Sequence, residues 1–305
     1  MKKGIWIVLV IGGLFAGCKQ DQKEPSEELY VVTTTTMLTD LAKALGGKHI
    51  RVEGLMGSGV DPHLYKASEG DVRKLTQADV IFYNGLHLEG KLVEVFEKMG
   101  RSIQTVALAE KALDPDTLIG SDYFASNYDP HIWFDIDYWK QITQEMSRQL
   151  QQLAPEHKEA FAKAETAYLN QLEALKEEIQ TTIASLPEEQ RILVTAHDAF
   201  SYFGRAFGFE VVGLQGLSTA TEAGVQDVQR LAQFIIDHQV KAIFVESSVP
   251  RRTIEALQAA VNAQDFDVQI GGTLFSDALG TTGTLEGTYI GMFKYNVNTM
   301  VDALR

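Results

Sequence analysis

A chain of 305 residues with 41 acidic against 27 basic side chains carries a formal charge of −14. So acidic a surface repels phosphate backbones, which excludes a nucleic-acid binder and is at most a weak, non-specific sign of affinity for cations. A single cysteine excludes a structural disulfide, and the length is enough for two domains, each with its own core.

Residues 1–17 read as an export signal. Lys2 and Lys3 form a positive start, and an apolar run over 5–16 follows that is too short to span a bilayer as a mature helix. The run ends Leu14-Phe15-Ala16-Gly17-Cys18. Small residues before the only cysteine resemble a lipobox, which implies cleavage before Cys18 and lipidation of its thiol; Phe15 departs from the more usual Leu. Residues 18–28 are polar, proline-containing and without period, as expected of a flexible tether. No later apolar run is long enough to cross a membrane. Without Lys2 and Lys3 the mature charge is −16, two positive charges fewer than in the −14 chain.

The segment 29–154 alternates strand and helix patterns. A β-branched run at 29–34 precedes a helical pattern at 37–45, stopped by Gly46-Gly47. A strand at 50–55 feeds the loop Gly57-Ser58-Gly59-Val60-Asp61-Pro62-His63. Then come a helix at 69–77, a strand at 80–83, a helix at 91–98 and a strand at 103–107. A Asp-, Ser-, Gly- and Pro-containing loop at 113–130 ends in Asp129-Pro130-His131, and a helix at 136–153 follows.

Residues 155–187 organise the chain. Pro155 and Pro187 bracket a single helical pattern in which Tyr168, Leu172, Leu175, Ile179 and Ile183 recur at steps of four, three, four and four. At about 1.5 Å per residue a thirty-residue helix runs roughly 45 Å, longer than a small domain is wide. It reads as a strut between two lobes. A coiled-coil dimer segment is the weaker reading, because sustained heptads with paired flanking charges are missing, and the chain is expected to act as a monomer. Beyond it, 188–305 repeats the strand–helix rhythm: strands at 191–195, 210–214, 242–246 and 267–271, helices at 200–207, 224–238, 253–263 and 288–304. The fold expected is α/β, two lobes each with a parallel sheet flanked by helices, with a ligand cleft at the carboxyl ends of the strands.

Seven histidines fall into two groups. His49 in a Gly-Gly-Lys turn, His157 and His238 on solvated helix faces, and His87 in Asn84-Gly85-Leu86-His87 read as surface or loop residues. His63 and His131 each follow Asp-Pro, and His197 directly follows the strand Ile192-Leu193-Val194-Thr195-Ala196. Those three sit on strand-end loops or stiffened turns, where a cleft ligand must be. Asp277 lies just past a strand and is either a fourth ligand or the cap of the next turn. Three imidazoles and one carboxylate suit a divalent transition metal.

The residues 57–68 (GSGVDPHLYKAS), 79–84 (DVIFYN), 129–135 (DPHIWFD), 194–203 (VTAHDAFSYF) and 213–227 (GLQGLSTATEAGVQD) resemble one family, as do 242–249 (AIFVESSV), 271–280 (GGTLFSDALG) and 287–296 (GTYIGMFKYN). It is the cluster A-I family of solute-binding lipoproteins of ABC importers, which bind zinc or manganese. The resemblance covers about residue 29 to the C-terminus and implies metal ligation by His63, His131, His197 and Asp277. It also implies a rigid linking helix at 155–187, delivery of Zn²⁺ or Mn²⁺ to separate permease and ATPase subunits, and a lipid anchor that holds the body outside the cytoplasmic membrane. Some manganese-specific relatives carry Glu where this chain has His197. Many zinc-specific relatives insert a His-rich loop where 113–130 is short and has no histidine. The metal is therefore left open between the two. A secreted zinc hydrolase is the rival reading. It is disfavoured because Asp277 would fill the open position that a catalytic zinc keeps, and because no His-Glu-x-x-His helix occurs; Asp198 or Glu246 as a base is the weaker reading, each being more simply structural or a partner that orients a ligand. An adhesin role could coexist with transport.

Overall fold

The computed structural model describes residues 28–122 and 124–305. The expected signal at 1–17, Cys18 and all of the tether except Glu28 lie outside the described residues. Among those residues no helix is long and apolar enough to cross a membrane.

The first lobe is built from β1 (Leu29–Thr33), α1 (Thr36–Gly46), β2 (Ile50–Gly54), α2 (Glu69–Gln77), β3 (Val80–Tyr83), α3 (Val93–Met99), β4 (Gln104–Ala107), α4 (Leu108–Ala112) and α5 (Ile136–Leu153). Its four strands are parallel in the order β2-β1-β3-β4, with Val31 opposite both Val52 and Val80. Buried Val31, Val32, Ile81 and Phe82 fill both sheet faces, the near-continuous apolar content of a sheet covered on both sides. Local chemistry fixes the ends: Thr35 caps α1, and Ser68 and Asp71 form a reciprocal capping box on α2.

After α6 (Lys158–Ile183) the second lobe follows: β5 (Ile192–His197), α7 (Ser201–Phe207), β6 (Glu210–Gln215), α8 (Val225–Asp237), β7 (Ala242–Glu246), α9 (Arg252–Asn262), β8 (Gln269–Leu274) and α10 (Tyr289–Leu304). β5 pairs with β6 and β7 with β8, all parallel, and β5 lies beside β7. The layer order β6-β5-β7-β8 thus repeats the order of the first lobe.

The linking helix α6 spans 26 residues, about 39 Å at 1.5 Å per residue, and a 3₁₀ turn at Pro155–His157 leads into it. All five residues of the expected apolar face are buried, and Phe161 joins them. That face packs on α1 and α5 of the first lobe and on α10 of the second. Lys140–Glu173, Lys176–Asp137 and Lys294–Glu178 pairs line its flanks.

Each lobe has a small core of its own, around Val32, Ile81 and Phe96 in the first and around Val194, Ile243 and Leu257 in the second. The largest apolar cluster belongs to neither alone. It runs from Val31 and Trp139 through the buried face of α6 to Phe200, Phe203 and Phe293.

Candidate metal centre

Two Asp-Pro-His turns carry the first two histidines, and both are held by the same local device. The Asp61 carboxylate accepts the backbone N–H of His63 at 2.8 Å, and the Asp129 carboxylate accepts that of His131 at 2.9 Å. An aspartate bonding two residues onward fixes a turn that the proline has already stiffened. His197 arrives differently. It is the last residue of β5, paired with Gln215 rather than just beyond the strand as expected, because the ladder with β6 runs on past Ala196. Gly213 in β6 permits this: a Cβ there would stand 2.5 Å from the Asp198 nitrogen and 2.7 Å from the His197 carbonyl carbon.

Asp277 caps no helix, since the next helical turn begins at Leu285. It lies 1% exposed in the interior with His131 and His197 at 0%, while His63 retains 5%. The four side chains converge so that one donor atom from each lies within 4.8 Å of the others. His63 Nε2 is 3.3 Å from His131 Nε2, His197 Nε2 is 3.3 Å from Asp277 Oδ2, and His131 Nε2 is 3.6 Å from Asp277 Oδ1. A tetrahedral shell with arms of about 2.0–2.1 Å has edges of about 3.3–3.4 Å. The spacing therefore suits one small cation at the centre.

Among the described residues, His197 Nε2 and Asp277 Oδ1 are buried without a hydrogen-bond partner. Buried polar atoms are seldom left so, and here they face a common point, as a cation would require. A carboxylate faces the outer nitrogen of two imidazoles, hydrogen-bonded at His131 and in close ion-pair contact without hydrogen-bond alignment at His197. His131 Nδ1 is 2.7 Å from Asp129 Oδ1, and His197 Nδ1 is 2.6 Å from Glu246 Oε2, whose other oxygen accepts the His197 backbone N–H at 2.8 Å. At His131 that partner favours the ring proton on Nδ1 and turns Nε2 inward, and at His197 Glu246 holds the backbone while its second oxygen stands beside the ring.

Electrostatics sort the members. Burial pushes the His63 imidazole down to about 3, against the pull of Asp277 and with the help of its neighbouring imidazoles. Burial also acts to lower His197, but Glu246 and Asp277 outweigh it and hold that imidazole well above its ordinary value. Burial acts to raise Asp277, and His197, His131 and His63 together hold it below the usual carboxylate range. The centre holds positive charge on His197 between two carboxylates in a buried pocket.

The other four histidines stay outside the cluster. His49 stacks near His157, ring centroids 4.3 Å apart, at the opposite ends of the first-lobe strands, and His238 stacks on Phe234. His87 is exposed, close to Phe124. Of the imidazole partners, Glu246 is one of the two carboxylates expected to be structural or to support a ligand, although it stands 49 residues from His197; Asp129 is marked only by the Asp-Pro-His spacing.

Comparison with known proteins gives one consistent answer. The family model for the zinc-uptake complex component A, periplasmic, matches residues 31–303. The manganese-binding lipoprotein MntA of Bacillus subtilis is 45% identical over 309 residues, covering all of both chains. The zinc-binding protein TroA of Treponema pallidum is 48% identical over 274 residues, 90% of this chain and 88% of TroA. The TroA crystal structure superposes with a TM-score of 0.88 at 47% identity, covering 91% of this chain and 99% of that one. With nearly its whole length matched in sequence and in fold, the chain belongs to the zinc-uptake component A family of ABC-transporter substrate-binding proteins.

Proposed function

We propose that this protein is the extracytoplasmic receptor of an ABC metal importer, with His63, His131, His197 and Asp277 as the ligands of one Zn²⁺ or Mn²⁺ ion. The observation that carries the reading is the convergence of these four buried side chains, one donor atom from each within 4.8 Å of the others, with individual separations of 3.3 and 3.6 Å close to the edges of a tetrahedral shell. The ion is cargo. A separate permease and ATPase receive it, and a lipid on Cys18 holds the receptor, acting as a monomer, near them, which raises its effective concentration there. Residues 29–154 and 188–305 are the two lobes, and 155–187 the linker.

A catalytic role is not part of the proposal. A hydrolytic zinc keeps one position for water, whereas here a carboxylate fills the fourth corner and no member is more than 5% exposed. One relative is named for manganese and the other for zinc. Three nitrogens favour Zn²⁺ in raw affinity, while the carboxylate oxygen suits Mn²⁺ better than imidazole does.

The test is metal analysis of the purified body, followed by titration of parent and Asp277→Ala with both metals in competition. The parent should bind one equivalent. The variant should weaken, and its selectivity should shift toward zinc, because imidazole meets more of zinc's preference than of manganese's. Equal affinity of variant and parent for both metals would remove Asp277 from the ligand set.

A further inference from the structure

The loop after β3 is the most constrained irregular segment near the centre. Gly85, Leu86 and His87 take φ values of 88°, 50° and 62°, three left-handed residues in succession of which two carry side chains. Each such non-glycine residue is costly and persists only where its surroundings over-determine it. Two carboxylates supply that constraint. Glu89 Oε1 accepts from the Asn84 nitrogen at 2.8 Å and from the Thr34 hydroxyl at 2.6 Å, and its Oε2 accepts from the Gly85 nitrogen at 3.3 Å. Glu110 accepts from the Leu86 nitrogen at 2.7 Å. Burial raises both carboxyls, Glu89 to about 7.

The product of this arrangement is one exposed side chain. From Asn84 to Glu89 every residue is buried except His87. The His87 ring stands edge-on to Phe124 with centroids 6.1 Å apart, and Phe124 stands edge-on to His63 at 6.3 Å. His63 is the most exposed member of the centre, at 5% against 1% for Asp277 and 0% for the other two, so its side is the one nearest solvent. An exposed histidine, an aromatic ring and the most exposed ligand thus follow one another in edge-on contact.

Resting on the receptor reading, we propose that His87 is an additional metal ligand at the mouth of the site. There an incoming divalent ion first exchanges water for imidazole before it passes Phe124 to His63. The ion leaves by the same step in reverse. A ligand used only on the way lowers the barrier equally in both directions and leaves the equilibrium affinity unchanged.

The experiment is stopped-flow mixing of the metal-free body with Zn²⁺ in the presence of a chromophoric zinc indicator, and release of bound Zn²⁺ into excess chelator, for parent and His87→Asn. Asparagine tolerates the left-handed backbone, so this variant removes the imidazole without straining the loop. Association and release should both slow, on the order of tenfold, with the dissociation constant within about twofold of the parent. Unchanged rates in His87→Asn overturn the inference while leaving the receptor reading intact. So does a weaker dissociation constant carried by faster release alone, which would mean the loop supports His131 through the Asn84 side chain and the Pro130 carbonyl, 3.0 Å apart. A parent chain that takes up no Zn²⁺ overturns the receptor reading and this inference with it.

Discussion

A bare histidine is a poor guide to function, and the three gathered here with Asp277 are distinguished by what holds their backbones and their outer nitrogens. In both Asp-Pro-His turns the aspartate accepts the histidine N–H, but only Asp129 continues to the ring. Asp61 spends its second oxygen on the Thr219 hydroxyl of the other lobe, at 2.5 Å. Asp129→Asn keeps a turn-forming oxygen and removes the charge that orients the His131 ring. Loss of such a partner typically weakens metal binding about 10–100-fold. Competition titration of Asp129→Asn with Zn²⁺ should show a loss in that range; affinity equal to the parent would mean that packing against Trp133, 5.3 Å away between centroids, suffices to aim the ring. At this scale the sequence revealed what is local. The Asp-Pro-His spacing marks His63 and His131, and the apolar run of β5 marks His197. Glu246, Phe124 and the exposure of His87 depend on segments brought together from far along the chain, and no spacing announces them.

Secondary structure was legible wherever period and punctuation agreed. The expected bounds of α2, β3, α5 and β7 are those observed, and the remaining expected elements shift by up to four residues at their ends, most at the C-terminal end of α6. The five-residue helix α4 (Leu108–Ala112) is not legible in the sequence, because it has no side-chain cap and too few turns to show a period. The face of α6 was legible because its five apolar residues satisfy a 3.6-residue period over several turns. Its energetics follow from where it lies. Leu172 is 0% exposed against helices of both lobes, so Leu172→Ala should cost about 2–5 kcal/mol as a cavity opens that α1, α5 and α10 cannot jointly collapse into. Lys176→Ala, which removes only a surface pair with Asp137, should cost less than about 1 kcal/mol. Chemical denaturation of the two variants checks the pair, and a similar loss in both would mean that the helix is held by its charged flanks instead of its buried face.

At the scale of the whole molecule the pairing order of the strands and the sharing of one core were not legible, because both depend on contacts that sequence period does not encode. They decide how the protein moves. The largest apolar cluster passes without a break from one lobe to the other, with Trp139 stacked on Tyr289 at 4.8 Å and Phe134 close to Phe200 at 4.3 Å. Polar ties reinforce it: Trp133 donates to the Ser276 carbonyl at 3.0 Å, Tyr289 to the Trp133 carbonyl at 2.7 Å, and Tyr202 to the Asp129 carbonyl at 2.9 Å. A hinge opening of the lobes would have to tear buried aromatic surface and bend α6, and packed interiors do not deform continuously. The contacts at the mouth are of another kind. Asp61–Thr219 and the Ser58 hydroxyl on the Leu279 carbonyl, at 2.8 Å, join loops, and loops open at far lower cost than cores. Metal uptake should therefore leave the radius of gyration unchanged within error by small-angle scattering, while amide exchange slows at residues 57–68 and 216–224. A hinge-like compaction on adding Zn²⁺, with uniform protection across both lobes, would show instead that the shared core parts and that α6 bends with it.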